Sequence, residues 1–118
     1  MAPSPSTLAG EAAEREAARR LAGAGLVPVA RNLRYKVGEL DLVMRDGMTL
    51  VFVEVRTRRS LAYGGAVASI DARKQLRVRR AAQCYLQARF GQRPWPACRF
   101  DVVAFEAGEM HWLKAAFD

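Results

Sequence analysis

A chain of 118 residues that is 51% hydrophobic is long enough for one packed domain and too apolar to stay disordered. Its net charge of +7 suits a polyanionic partner, nucleic acid first and an acidic membrane surface second. A single histidine, His111, argues against a histidine zinc site or a catalytic triad, and no stretch approaches the about 20 apolar residues of a membrane span.

In chain order, residues 1–6 read as a short disordered tail and residues 7–118 as a single domain. Thr7 to about Gly23 is rich in Ala, Glu, Arg and Leu and predicts a helix, stopped by Gly23 and Gly25. Leu26 to Asn32 suits an edge strand, because Pro28 removes a ladder donor. Strands over 38–44 and 49–57 form a hairpin across Asp46-Gly47. Thr57 to Ala68 is a loop, and Ser69 caps a long helix reaching about Phe90. Cys98 to Phe105 alternates as a further strand, and Met110 to Leu113 returns across Gly108 as a last short one. This order predicts an α/β fold with a mixed central sheet flanked by helices, α-β-β-β-α-β-β.

The acidic residues of the hairpin stand out against this frame. Glu54 ends the run Leu50-Val51-Phe52-Val53, apolar on both faces and therefore a buried central strand. A carboxylate is costly there unless a cation or hydrogen bonds compensate it. Alternation puts Glu39 and Asp41 on one face of the first hairpin strand, and Leu50, Phe52, Glu54 and Arg56 on one face of the second. A four-residue loop, Asp46 to Thr49, sets Asp41 opposite Glu54; a two-residue loop sets Glu39 there instead. In either register neighbouring carboxylates lie about 5 Å apart, close enough to share a divalent ion. The alternative is a solvated hairpin face.

The helices add to this picture. Glu14, Ala17, Ala18, Leu21 and Gly25 follow one helical face, so Glu14 should sit at the end of a buried stripe. In the second helix Val78, Ala81, Ala82, Tyr85 and Leu86 form the core stripe, and Lys74 joins its inward side near the N-terminal end. Arg73, Arg77 and Arg80 line another face. Of the 19 basic residues 16 are Arg, so no single arginine is informative. The cluster formed with Arg31, Arg34, Arg56, Arg58 and Arg59 points to a phosphate-binding surface rather than a merely solvated one. Trp95, Trp112 and Tyr63 have the chemistry to stack on bases, although core or boundary roles are commoner for such residues. Cys84 and Cys98 lack metal-ligand spacing, and Met1 to Gly10 lacks a hydrophobic signal core, which together suit a reduced cytoplasmic protein.

Several ordered pieces of the chain carry a family resemblance: Ala13-Glu14-Arg15-Glu16 with Leu21 and Gly25, Arg31-Asn32-Leu33-Arg34, Gly38-Glu39-Leu40-Asp41-Leu42, Val51 to Arg58, Tyr63-Gly64, Lys74, and Arg99 to Val103. From about Ala13 to Phe117 the chain resembles the YraN family of small bacterial proteins. That family is itself similar to archaeal Holliday-junction resolvases of the PD-(D/E)xK nuclease superfamily. The resemblance implies a restriction-endonuclease-like fold and a metal-dependent endonuclease acting on DNA, including branched DNA. It implies Asp41 and Glu54 as the motif acids holding Mg²⁺ or Mn²⁺, the Val55 carbonyl as a further ligand, and Glu14 as the helix acid completing the site. It implies a homodimer, since symmetric cleavage of a junction needs two active sites.

The departure is Arg56, where the superfamily carries lysine. Arginine keeps its charge and cannot accept a proton from water, though it can orient water or brace a phosphate. Lys74 is placed to supply the missing ammonium. Asp101 matches a family position too, but Arg99 on the same face makes a structural ion pair an equal reading. A catalytically inactive nucleic-acid-binding module, and a protein-interaction factor with structural carboxylates, stand as the alternatives.

Overall fold

The structure, a computed structural model, describes residues 5–58 and 70–118. A helix α1 (Pro5–Gly23) precedes three strands, β1 (Val27–Tyr35), β2 (Gly38–Asp46) and β3 (Thr49–Arg58). A second helix, α2 (Ala72–Phe90), then leads to β4 (Cys98–Glu106) and β5 (Glu109–Phe117). The strands form one five-stranded sheet in the order β1-β2-β3-β4-β5. All neighbours are antiparallel except β3 and β4, whose parallel pairing requires the crossover that α2 provides. The α-β-β-β-α-β-β order expected from the sequence is the one observed. No described helix is long and apolar enough to cross a membrane.

The run Leu50 to Val53 explains the layering. Leu50 and Phe52 pack with Leu40, Val43 and the α2 residues Val78, Ala81, Ala82, Tyr85 and Leu86. Val51 and Val53 pack on the other side with Leu42, Met44, Val103 and the α1 residues Ala17 and Leu21. The helices therefore cover opposite sheet faces, and β3 is buried on both. The α2 stripe is the one its spacing predicts.

Helix α2 is fixed at both ends. Its N-cap is Asp71, whose side chain accepts the Lys74 amide at 2.9 Å. Gly91 closes the C-terminus with φ 57°, its N–H donating to the Gln87 carbonyl. The expected cap Ser69 lies outside the described residues, and the cap is Asp71 because its carboxylate is the one that reaches the free amide three residues on. Gly38, buried at the start of β2, sets how closely the sheet approaches α2. A Cβ there would collide with the Arg77 carbonyl group.

Strands β2 and β3 run slightly past their expected ends, to Asp46 and Arg58, and two other strands change more. Strand β1 continues past Asn32 to Tyr35, although it is the edge strand anticipated. Strand β5 runs over Glu109–Phe117, longer than Met110 to Leu113, because it pairs along most of β4 around an irregularity between Phe100 and Val102.

Candidate active site

The hairpin β2–β3 turns over Asp46 to Thr49, which pair with each other, and with Leu42 opposite Val53 its register is the one that aligns Asp41 with Glu54. Pairing stops one step before those two acids. There the Asp41 carboxylate accepts the Val55 amide at 3.0 Å, replacing a backbone partner. Regular alternation also breaks at this point. Leu40 joins the α2-side core whereas Leu42 joins the α1-side core, although two residues apart should share a face. Facing Asp41 across the β1–β2 register is Asn32, with φ 56° in the left-handed region. Asparagine tolerates that conformation better than most residues. Glu39 is solvent-exposed and pairs across from Arg34, so it does not join the other acids as simple alternation suggested.

Glu54 projects to the α2 side and is buried. Burial and the nearby Asp41 charge push its carboxyl up to about 8, against the weaker opposing pull of Lys74 and Arg56. Lys74, reaching down from the first turn of α2, places Nζ 3.4 Å from Glu54 Oε1. That is an ion-pair distance without hydrogen-bond alignment, and Oε1 consequently has no hydrogen-bond partner. Arg56, two residues along the same strand, has a buried Nε likewise without a partner. From α1, half-buried Glu14 comes close to Asp41; desolvation first, then the Asp41 carboxylate, raises its carboxyl to about 7, with Arg31 opposing. Glu14 and Arg31 share a small polar cleft of about 160 Å³ with Arg15 and Asn32.

The sheet, α1 and α2 thus bring Glu14, Asp41, Glu54, Arg56 and Lys74 into one neighbourhood, with Arg31 at its border. The acids are linked in a chain, Glu14 to Asp41 to Glu54. Among the described residues no three His, Cys, Asp or Glu side chains converge into a ready-made metal cage. Two carboxylates are nonetheless enough for Mg²⁺, which keeps several of its waters. The unpartnered Glu54 oxygen, the oxygen-only donors and the mutual repulsion that lifts two of the acids all fit a hard divalent cation.

The remaining predicted residues lie elsewhere. Arg73, Arg77 and Arg80 are exposed on the outer face of α2, and Arg34 is exposed on the edge strand. Arg58 ends β3, whereas Arg59 and Tyr63 fall outside the described residues. Asp101 is paired with Val53 and so lies on the α1 side of the sheet, away from Glu54. Its oxygens accept from Arg99 Nε at 3.0 Å, Trp112 Nε1 at 2.9 Å and the Ala115 amide at 2.9 Å. Arg99 also bonds Asp46 at 2.8 Å. These contacts make Asp101 a structural acid.

Two contributors and one further buried acid escaped the sequence reading. The Val55 N–H that fixes Asp41 is invisible until strand pairing is known. Asn32 carries its signal only in backbone conformation. Glu106 is a buried acid at the end of β4 with an unpartnered Oε1, and a carboxylate closing the run Val102-Val103-Ala104-Phe105 was a readable sign.

Comparison with known proteins places this chain in a family. The model of the family described as "Uncharacterised protein family UPF0102" matches residues 13–105. A UPF0102 protein of Bordetella petrii is 55% identical over 97% of this chain and 72% of its own length. The UPF0102 protein YraN of Shigella flexneri serotype 5b is 48% identical over 92% of the chain and 83% of its own length. A UPF0102 protein of Pseudomonas putida is 50% identical over 100% of the chain and 99% of its own length. With a family match across most of its length and such relatives beside it, the chain belongs to the UPF0102 family, which includes YraN.

Proposed function

We propose that this protein is a metal-dependent endonuclease that hydrolyses phosphodiesters in DNA, with branched DNA as its preferred class. The observation that carries the proposal is Glu54: a buried carboxylate next to Asp41 whose Oε1 accepts no hydrogen bond among the described residues and is met only at ion-pair distance, 3.4 Å, by the Lys74 ammonium. Asp41 and Glu54 would hold Mg²⁺ or Mn²⁺, with Glu14 closing the site from α1. When bound, such an ion supplies charge neutralisation at the phosphate and a more acidic water.

The chain's own groups account for the rest. The Val55 amide holds the Asp41 carboxylate in one orientation. The Lys74 ammonium is placed to stabilise the charge that develops on the phosphate oxygens. Arg56 braces the same phosphate as a permanent cation. Glu14, raised to about 7 without metal, would be held ionised by a bound cation. Arg73, Arg77 and Arg80 supply phosphate contacts that position DNA without reading its sequence. The natural setting would be the cytoplasm, and symmetric cutting of a junction would call for a homodimer.

The deciding experiment pairs metal binding with cleavage. Mg²⁺ or Mn²⁺ should raise the thermal midpoint of the wild-type protein and not of Glu54→Ala. Wild type should then cut at least one of duplex, flap, splayed or four-way-junction DNA with Mn²⁺ and none with EDTA. Metal-independent stability together with no cleavage of any substrate would sink the proposal. DNA binding without metal response would instead favour a binding module on the same fold, for which Arg56 in place of lysine is the sequence evidence.

A further inference from the structure

On the outer side of α2 the exposed arginines continue into a cleft of different chemistry. Arg73, Arg77, Arg80, Cys84 and Gln87 recur at i, i+4, i+7, i+11 and i+14, which is one helical face. Its first three members are exposed guanidinium groups. From Arg80 onward the same face forms the floor of an open, largely apolar cleft of about 620 Å³, walled by Val37 from the β1–β2 turn and by Trp95 from the α2–β4 connection. That volume falls within the about 300–1,000 Å³ of ligand pockets. Both walls are apolar side chains left in contact with solvent, Val37 at 39% and Trp95 at 43% exposure.

Trp95 is fixed in place. Its indole N–H donates to the Gly91 carbonyl at 3.1 Å, in the turn that closes α2. With its polar edge satisfied internally, the surface it offers is the aromatic ring. Val37 is held just as firmly, because Gly38 packs its backbone against Arg77. The surroundings are mainly cationic: α2 contains no Asp or Glu and Lys36 adjoins Val37, while the nearby exposed acid Glu39 is paired across from Arg34. A partner for this face must carry repeated negative charge and also present flat apolar surfaces. Single-stranded nucleic acid does both, phosphates on the arginine track and bases on the indole. A protein partner would need acidic and aromatic groups in the same alternation.

We propose that the cleft between Trp95 and Val37 is a stacking site for unpaired nucleobases, fed by the Arg73–Arg77–Arg80 track. It rests on the DNA-directed function proposed above and adds the substrate class: DNA with an unpaired segment beside the cut. From Lys74, which touches Glu54, to Cys84 on the cleft floor is ten residues, or about 15 Å of helix axis. A stacked strand covers that span in about four or five nucleotides at ~3.4 Å each.

The test is equilibrium binding in EDTA, which needs no catalysis. Three DNAs share one duplex: blunt, with a thymidine tail, and with an abasic tail that keeps the phosphates and lacks the bases. Wild type should bind the thymidine tail about 10- to 100-fold more tightly than the abasic tail. Trp95→Ala should erase that difference while leaving blunt-duplex affinity unchanged, and Trp95→Phe should keep most of it. Blunt-duplex affinity and a thermal midpoint retained in Trp95→Ala separate loss of stacking from loss of fold. Equal affinity for the two tails in wild type would overturn the stacking site alone; absence of binding to every DNA would overturn the DNA-directed function with it. Self-association that Trp95→Ala abolishes, without any tail effect, would reassign the cleft to contact between copies and also overturn the proposal.

Discussion

Lys74 and Glu54 sit on different elements, twenty residues apart in sequence, and meet at 3.4 Å across the α2 face of the sheet. The pair joins a half-exposed ammonium to a fully buried carboxylate, so its energetic weight falls on Glu54. If the ammonium has moved from the β3 position now held by Arg56, Lys74→Ala should lower cleavage by about 10²–10³-fold. Affinity for DNA in EDTA should stay within about threefold, since one phosphate contact among many is lost. Arg56→Lys should preserve or raise activity. Single-turnover cleavage beside Glu54→Ala checks both, and full activity in Lys74→Ala would eliminate the migrated-lysine idea.

The raised carboxyls make metal-free stability depend on pH in an unusual direction. Glu54 and Glu14 rise from 4.5 to about 8 and about 7, so between those values the folded protein holds more protons than the unfolded chain. Their contribution is fully present below pH 4.5 and is lost as pH rises through 7 and 8. In EDTA the unfolding free energy should therefore decline across pH 5 to 8, by on the order of 3 kcal/mol for Glu54. Glu54→Gln should flatten the decline, and Mg²⁺ should oppose it. Denaturant titrations at several pH values test this; a rise in stability over that range would refute the assignment.

Gly38 is the tightest steric condition on the site. A Cβ at this position meets the Arg77 backbone, which is helical and cannot swing aside. Gly38→Ala should destabilise the protein by about 1–3 kcal/mol. Because the helix must shift to accept the methyl, Lys74 should also lose its contact with Glu54, and cleavage should fall beyond what the stability change explains. Activity per folded molecule is the quantity to measure.

Asp101 supplies the contrasting case. Its removal leaves Arg99 Nε, Trp112 Nε1 and the Ala115 amide without their acceptor, although Arg99 keeps Asp46, so Asp101→Ala should cost about 2–4 kcal/mol. Asp101→Asn should cost less. Metal affinity of the folded Asp101→Asn protein should match wild type, since the Asp101 carboxylate is engaged by Arg99, Trp112 and Ala115 and lies on the opposite sheet face from Glu54. A metal defect in that variant would make Asp101 part of the site.

The arginine track should behave as an electrostatic surface. Replacing Arg73, Arg77 and Arg80 together by Ala should weaken DNA binding across sequences and lower the salt slope by about 2–3. An unchanged isotherm would reduce this helix face to a solvated one.

What could be read from the residues was whatever depends on local periodicity. The two-sided apolar run into Glu54 identified the central strand, and helical spacing placed Lys74 inward and Glu14 at the end of a buried stripe. The hairpin register was narrowed to two choices, one of which is observed. Features set by partners distant in sequence stayed hidden. Asn32 and the break in alternation at Asp41 depend on two strands bending together, which a period of two cannot encode. Asp71 and Ser69 are equally good capping residues by type, and the geometry of one turn decides between them. The extension of β5 depends on Asp101 reaching the Ala115 amide, a contact between neighbouring strands.

Asp41 and Asp101 perform the same backbone service, each offering a carboxylate to an amide where a strand ladder is interrupted. Their difference lies in what surrounds the remaining lone pairs. Around Asp101 a guanidinium and an indole consume them, so the acid is electrically finished and inert. Around Asp41 stand two further acids, both raised by burial and by its charge, with Lys74, Arg56 and Arg31 at their border, so its surroundings hold carboxyl oxygens not spent on a closed hydrogen-bond network. One splayed strand joint has been sealed as masonry, and the other left open as a socket.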